Sequence, residues 1–192
     1  MTLVSIYDVK KNERIGTGVF ISPRAILTCQ HVIARTRSIE VEIKFEGKRI
    51  FLTAKKIYSN TKLDFSILEV NEEHPHFVLG DSSKLDYTKS YTVECPHEKR
   101  KVFRQQLLQS IPLFDDPKEN FSITLLGDAL PLGTSGSPLL NDAREIVGLH
   151  WGGGTTSRNK KYGFAIPINM IKSKLHKKTT PKDVGQIPPG SC

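Results

Sequence analysis

Three side chains in this sequence have the types that acyl-transfer chemistry requires, and each lies at a bend in the chain. Ser135 sits in Leu130-Pro-Leu-Gly-Thr-Ser-Gly-Ser-Pro-Leu-Leu140, between Gly133 and Gly136. Glycines accept backbone angles that cost other residues energy, so this turn can bend sharply and expose the serine hydroxyl. The same bend can aim the amides of Gly133 and Ser135 at one point. Two such amides make an oxyanion hole, in which each donor is worth roughly 2.7–4 kcal/mol. Taken alone, the segment reads equally as a hairpin turn, so the serine needs partners.

A serine hydroxyl is a poor nucleophile at neutral pH; it needs a base, and the base needs an orienting acid. Of the six histidines, His31 stands out. It ends the apolar run Ala25-Ile-Leu-Thr-Cys-Gln-His31, just past a strand, where a short turn can present an imidazole. His74, His76, His97 and His176 fall in polar stretches and read as solvated surface residues. Asp64 opens Leu63-Asp-Phe-Ser-Ile-Leu68. A carboxylate in that place is either a strand-end cap or a buried partner.

The elements that must hold these residues are short β-type runs. Leu3–Val9 alternates, a turn at Asn12-Glu13-Arg14 leads into Gly16–Ile21, and Ala25–Cys29 follows a Ser22-Pro23 corner. Ser38–Phe45 and Arg49–Tyr58 form a hairpin joined at Glu46-Gly47, and Phe65–Val70 is a further strand. Beyond a polar stretch near residues 80–88 the pattern resumes at Ser90–Cys95, Lys101–Ser110, Phe121–Leu126, Pro138–Leu140, Glu145–Trp151 and Tyr162–Ile168. Only Ile168–Lys177 reads as a helix. The pattern is all-β in two halves with a terminal helix. From Thr179 to Cys192 the chain is rich in Pro, Gly and Lys and reads as a mobile basic tail.

A chain of 192 residues with 38% hydrophobic and 25% charged residues suits one sizeable domain or two small barrels sharing a core. The formal charge of +8 leaves room for an anionic partner. It does not imply nucleic-acid binding, since no basic stretch is interleaved with stacking aromatics. The three cysteines are odd in number and widely spaced, which argues against a disulfide framework and favours a reducing, intracellular setting. The spacing of cysteines and histidines matches no metal site, and nothing calls for a cofactor. Met1–Val9 alternates rather than forming an apolar signal core, and no stretch is long enough to span a membrane.

The order His31, Asp64, Ser135 resembles the chymotrypsin-fold serine endopeptidases. The matching pieces are Gly16-Thr-Gly-Val-Phe-Ile21, Ile26-Leu-Thr-Cys-Gln-His-Val32, Leu63-Asp-Phe-Ser-Ile-Leu68 and Gly133-Thr-Ser-Gly-Ser-Pro-Leu139. Spacings of 33 and 71 residues are short, as in the compact Deg/HtrA-type, glutamyl-endopeptidase and viral members. Gly148-Leu-His-Trp-Gly-Gly-Gly154 looks like the glutamyl endopeptidases, and Gly163-Phe-Ala-Ile-Pro-Ile-Asn-Met170 like the Deg/HtrA group. The resemblance covers residues 1–178. It implies two perpendicular six-stranded antiparallel barrels, over about residues 1–82 and 88–168, followed by the helix at 168–178. The site would lie in the cleft between them. It further implies that Ser135 attacks a peptide carbonyl, His31 moves the proton and Asp64 orients His31, with Gly133 and Ser135 forming the oxyanion hole.

By the same resemblance, the primary pocket is lined by Ala129 and Leu130, by His150, Trp151 and Gly152, and at the back by Tyr162 and Gly163. The backbone of His150–Gly152 would pair with substrate as an added strand. His150 follows Ser135 by 15 residues, as in the glutamyl endopeptidases, which implies cleavage after Glu, with Gln as a second choice. If His150 only packs under Trp151, the pocket is apolar and suits Leu or Phe; Leu130 supports that alternative. The sequence departs from the digestive enzymes in having Thr134 before the nucleophile and no Ile-Val-Gly-Gly start. Those departures point to constitutive activity, or to control by a partner, a ligand or an adjoining domain. A viral polyprotein protease and a protease-like peptide-binding module without turnover remain as alternatives.

Overall fold

Alternation of apolar and polar residues writes one buried face into most of these strands. In Lys48–Asn60, for example, Leu52 and Ala54 are buried while Phe51, Thr53 and Lys55 face out. The structure, a computed structural model, describes residues 1–45, 47–96, 101–112, 122–155 and 159–176. The first half holds β1 (Leu3–Asp8), β2 (Glu13–Phe20), β3 (Ala25–Cys29), a helical turn α1 (Gln30–Ile33), β4 (Ile39–Phe45), β5 (Lys48–Asn60) and β6 (Phe65–Glu69). The second holds β7 (Ser90–Cys95), β8 (Lys101–Pro112), β9 (Ser122–Leu126), β10 (Pro138–Leu140), β11 (Ile146–Thr155), β12 (Lys161–Pro167) and α2 (Ile168–His176).

Each half is a closed six-stranded antiparallel barrel, and the strand order repeats: β1-β2-β3-β6-β5-β4 and β7-β8-β9-β12-β11-β10. The second ring closes through the short β10, where Leu139 and Leu140 pair with Val93 and Thr92 of β7. Closure removes the free sheet edges that would otherwise invite pairing with other chains.

The two halves share one core. Barrel-one residues such as Phe20, Ile26, Leu27 and Phe65 pack in the same cluster as Leu140, Ile146, Leu149, Ile166, Ile168 and Ile171. A smaller cluster of Tyr91, Val93, Leu107, Leu126, Leu139, Val147 and Ala165 fills the second barrel. Between the barrels the chain runs beside β11, pairing Leu79 with Ile146, then makes a short 3-10 turn at Ser82–Lys84. That turn pins the start of α2: Asn169 Nδ2 donates to Asp81 Oδ1 at 2.7 Å and the Asn169 amide donates to Ser82 Oγ at 3.0 Å.

Two places differ from the sequence expectation. The first hairpin turns earlier than expected, with Asn12 in the left-handed region at φ +51°, so Glu13 and Arg14 belong to β2. His31 lies on α1, a short turn just past β3 as expected, and that turn is helical. His74 is half-buried, with its ring centroid 4.9 Å from that of Phe20, rather than solvated. Glu46, His97, Phe121 and the expected tail from Thr179 to Cys192 lie outside the described residues, as does the His176 side chain.

Candidate active site

His31 and Asp64 come together because β3 and β6 pair side by side, with Cys29 opposite Phe65. Each candidate residue therefore projects from a neighbouring strand end. Asp64 stands in the left-handed region at φ +51°, which aspartate tolerates better than most side chains. Its own carbonyl accepts the Gln30 amide at 3.0 Å, which ties the two ends together. The carboxylate takes three donors. Oδ1 accepts the His31 backbone amide at 2.7 Å, while Oδ2 accepts His31 Nδ1–H and the indole N–H of Trp151. With Nδ1 donating, the neutral His31 ring carries its free lone pair on Nε2, the form a general base needs. The imidazole is half-exposed and the carboxylate largely covered.

The turn carrying Ser135 docks on barrel one. The Ser135 carbonyl accepts the Thr17 amide at 3.0 Å, and Thr28 Oγ1 donates to the Thr17 carbonyl at 2.7 Å. Gly133 and Gly136 both have positive φ, at +83° and +89°. At Gly136 a Cβ would lie 2.0 Å from the Thr17 carbonyl oxygen, so only glycine fits. Thr134 is buried, with its hydroxyl on the Pro131 carbonyl at 2.7 Å, while Leu132 is fully exposed on the rim. The amides of Thr134, Gly136 and Ser137 bond to backbone carbonyls. Those of Gly133 and Ser135 take no backbone carbonyl among the described residues. Two donors are thus left for another acceptor.

The serine turn and the His31–Asp64 pair meet around His150. Its carbonyl accepts the Gly136 amide at 2.8 Å and the Cys29 thiol at 3.3 Å, and its amide donates to the Ser137 carbonyl at 2.8 Å. The His150 ring is 2% exposed, with Nδ1 3.1 Å from the Phe164 carbonyl. A carbonyl only accepts, so Nδ1 carries the proton. Burial pushes this imidazole down to about 4, against the Phe164 carbonyl, and nearby His31 adds a smaller push downward. His150 is therefore neutral at physiological pH, with an acceptor lone pair on Nε2.

The expected pocket walls divide in two. Ala129, Gly153 and Tyr162 are neighbours: a Cβ on Gly153 would meet the Tyr162 carbonyl at 2.9 Å and the Ala129 Cβ at 3.5 Å. Gly163 pairs with Leu126 and Gly153, and Gly152 opens onto free space. Leu130 packs partly against the second core. Trp151 departs most from expectation, since its indole N–H is spent on Asp64. A bulge causes this: His150 pairs with Ala165 and Gly152 with Phe164, leaving Trp151 as the extra residue. Replacing Trp151 by phenylalanine keeps the ring and removes the N–H. We expect kcat to fall about tenfold, the value of one hydrogen bond to a charged group; steady-state kinetics on a cleaved peptide would measure it.

Cys29, His31 and Asp64 place their ligand atoms within 4.8 Å of one another, a spacing a metal could use. Yet Cys29 is fully buried, and burial, aided by Asp64, pushes its thiol well up. Metals bind the thiolate, so this donor set suits a packed thiol beside a proton-transfer pair better than a cation.

A double barrel with a His–Asp pair on one half and a glycine-flanked serine on the other defines the trypsin-like class of peptidase domains. Residues 16–149 match the family of trypsin-like peptidase domains, and the chain belongs to that family, a class of serine-endopeptidase hydrolases. It is 29% identical over 159 residues to the serine protease Do-like HtrA of Bacillus subtilis (strain 168), covering 77% of this chain and 34% of that protein. The chain thus spans about a third of the length of that relative. Among solved structures, the MamO protease domain from Magnetospirillum magneticum superposes with a TM-score of 0.77 at 17% identity, over 90% of this chain and 95% of that one. The Rv3671c protease from M. tuberculosis in its active form gives 0.74 at 20% identity, over 96% and 83%. At these identities the structural likeness speaks for the fold.

Proposed function

We propose that this chain is an active serine endopeptidase in which Ser135 is the nucleophile, His31 the general base and Asp64 the group that orients it. The observation that carries this reading is the Asp64 carboxylate, which accepts both the amide and Nδ1–H of His31. That arrangement leaves Nε2 free to take the serine proton and return it to the leaving amine. The amides of Gly133 and Ser135, which take no backbone carbonyl among the described residues, then receive the charge that develops on the substrate carbonyl oxygen. Substrate is an extended peptide laid along Trp151–Gly152, since the His150 amide and carbonyl are already bonded to Ser137 and Gly136.

We further propose that His150 reads the side chain before the scissile bond and accepts Gln or Glu. Its place beside the serine turn, its neutral ring and its nearness to His31 support this. A neutral ring with the proton on Nδ1 accepts the amide N–H of Gln directly. A Glu carboxylate offers no proton, so its binding requires uptake of one, by the ring or by the carboxyl. Uptake becomes harder as pH rises above about 4. KM for a Glu peptide should therefore climb with pH, by up to about tenfold per unit, while KM for the matched Gln peptide stays flat. The test is cleavage of matched peptides carrying Glu, Gln, Leu, Phe or Lys, across the range from acid to neutral. His150→Ala should lose the Glu and Gln substrates selectively. Equal losses on all five, or a wild-type preference for Leu or Phe, would refute this assignment.

A further inference from the structure

We propose that Arg14, on β2 of the first barrel, is a positioning residue for the oxyanion hole in the second; the proposal rests on the serine-peptidase reading above. The Gly133 carbonyl oxygen has two lone pairs, and each takes a donor from β2. Arg14 Nη2 lies at 2.9 Å and Thr17 Oγ1 at 3.0 Å. The two donors are themselves joined, since Arg14 Nη2 also donates to Thr17 Oγ1 at 3.1 Å. The threonine hydroxyl thus accepts from the guanidinium and passes its own proton to Gly133.

Regular strand geometry would not allow this. Residues three apart on a strand point to opposite faces. Here the pairing of β1 with β2 shifts, with Ile6 opposite Gly16 but Tyr7 opposite Arg14. Ile15 is the extra residue, and this bulge brings Arg14 round to the face that Thr17 already occupies. Arg14 is half-buried at this spot, and loss of water lowers its pKa, yet a guanidinium remains charged at any physiological pH. Half-burial of a cation is costly unless its hydrogen bonds are used, and here Nη2 makes two, to Thr17 and to Gly133.

The clamp acts where the turn has most freedom. Gly133 has φ +83°, and a glycine can swing its flanking peptide planes with little penalty. The Ser135 carbonyl is held by the Thr17 amide, and the Thr134 amide and hydroxyl both bond to the Pro131 carbonyl. Arg14 and Thr17 hold the carbonyl of Gly133, which anchors to the other barrel one side of the hinge about which the Gly133 amide, one of the two hole donors, would swing. There is little room to improvise: a Cβ on Gly133 would already meet Arg14 Nη1 at 3.3 Å.

The test compares wild type with Arg14→Met, which keeps the length and removes the donors, with Arg14→Lys, which can restore one, and with Thr17→Val. Loss of a whole oxyanion donor costs about 10²–10³ in kcat, so a misaimed one should cost Arg14→Met about 10- to 100-fold, with KM within about twofold of wild type. Affinity for a peptide aldehyde, which forms the tetrahedral adduct, should fall by the same factor, while affinity for the product peptide should not. Arg14→Lys should recover part of the loss, and the pH profile should keep its shape because His31 and Asp64 are untouched. Full kcat in Arg14→Met and Thr17→Val, or a loss carried wholly by KM, would overturn the proposal. If wild type itself proves inactive, the serine-peptidase reading fails instead. Crystal structures of Arg14→Met and Arg14→Lys then decide the clamp: a Gly133 carbonyl in its wild-type orientation in both would overturn it, and a rotated one in Arg14→Met would support it.

Discussion

Ser135→Ala is expected to lower turnover about 10⁶-fold while leaving the fold intact. The first half follows from chemistry: the Thr134 hydroxyl is buried and spent on the Pro131 carbonyl and Ser137 is fully buried, which leaves Ser135 to attack a carbonyl. The second follows from how the turn is held. Ser135 meets barrel one through its carbonyl on the Thr17 amide, and the flanking residues are held by Gly136 on His150 and Thr134 on Pro131. None of these bonds uses the Ser135 hydroxyl. Initial rates on a cleaved peptide, measured beside thermal unfolding, would check both halves. Retention of more than a few per cent of the rate would contradict the assignment.

Asp64→Asn should cost about 10⁴ in kcat, and the reason lies in how many donors the carboxylate accepts. Oδ1 faces the backbone amide of His31, which cannot reverse its role. The amide oxygen of asparagine must therefore take that place, and its NH2 must replace Oδ2. There it confronts two N–H groups, from His31 Nδ1 and Trp151 Nε1. The indole has no alternative form, whereas the imidazole can move its proton to Nε2 and accept at Nδ1. That tautomer cannot take the serine proton. Asparagine tolerates the φ of +51° at this position at least as well as aspartate, so the backbone should hold. The stranded indole donor should cost about 1–3 kcal/mol of stability. Progress curves and a denaturant titration measure the two effects; a loss of rate below tenfold would show that Asp64 only caps its strand.

These expectations also show what a sequence reveals and what it hides. The strands with alternating or continuous apolar residues were legible, and β3, β7 and β10 begin and end where their patterns do. The candidate residues stood out as well, because glycines around Ser135 and apolar runs before His31 and after Asp64 leave strong local signals. The helical turn under His31 was not legible: with four residues it is too short to show a helical period. The two bulges were hidden for a different reason. Nothing in Arg14-Ile-Gly-Thr17 or His150-Trp-Gly152 says that the partner strand will skip a residue, since a bulge is a property of two strands together. Both features that depend on bulges were therefore invisible in the sequence: the indole on Asp64 and the guanidinium on Gly133. The burial of His150 was legible only as one of two alternatives, since Leu149 and Trp151 on either side suit a surface groove as well as a core.

The central claim is that Ser135 is a nucleophile activated by His31 and Asp64. Intact-mass and peptide-mass analysis of the native protein after treatment with a fluorophosphonate tests it most directly, since the reagent needs an activated serine but no knowledge of the substrate. The account predicts one adduct per chain, located on Ser135, absent from Ser135→Ala and strongly slowed in His31→Ala and Asp64→Asn. A folded protein that takes up no adduct, or that carries it on another serine, would contradict the account.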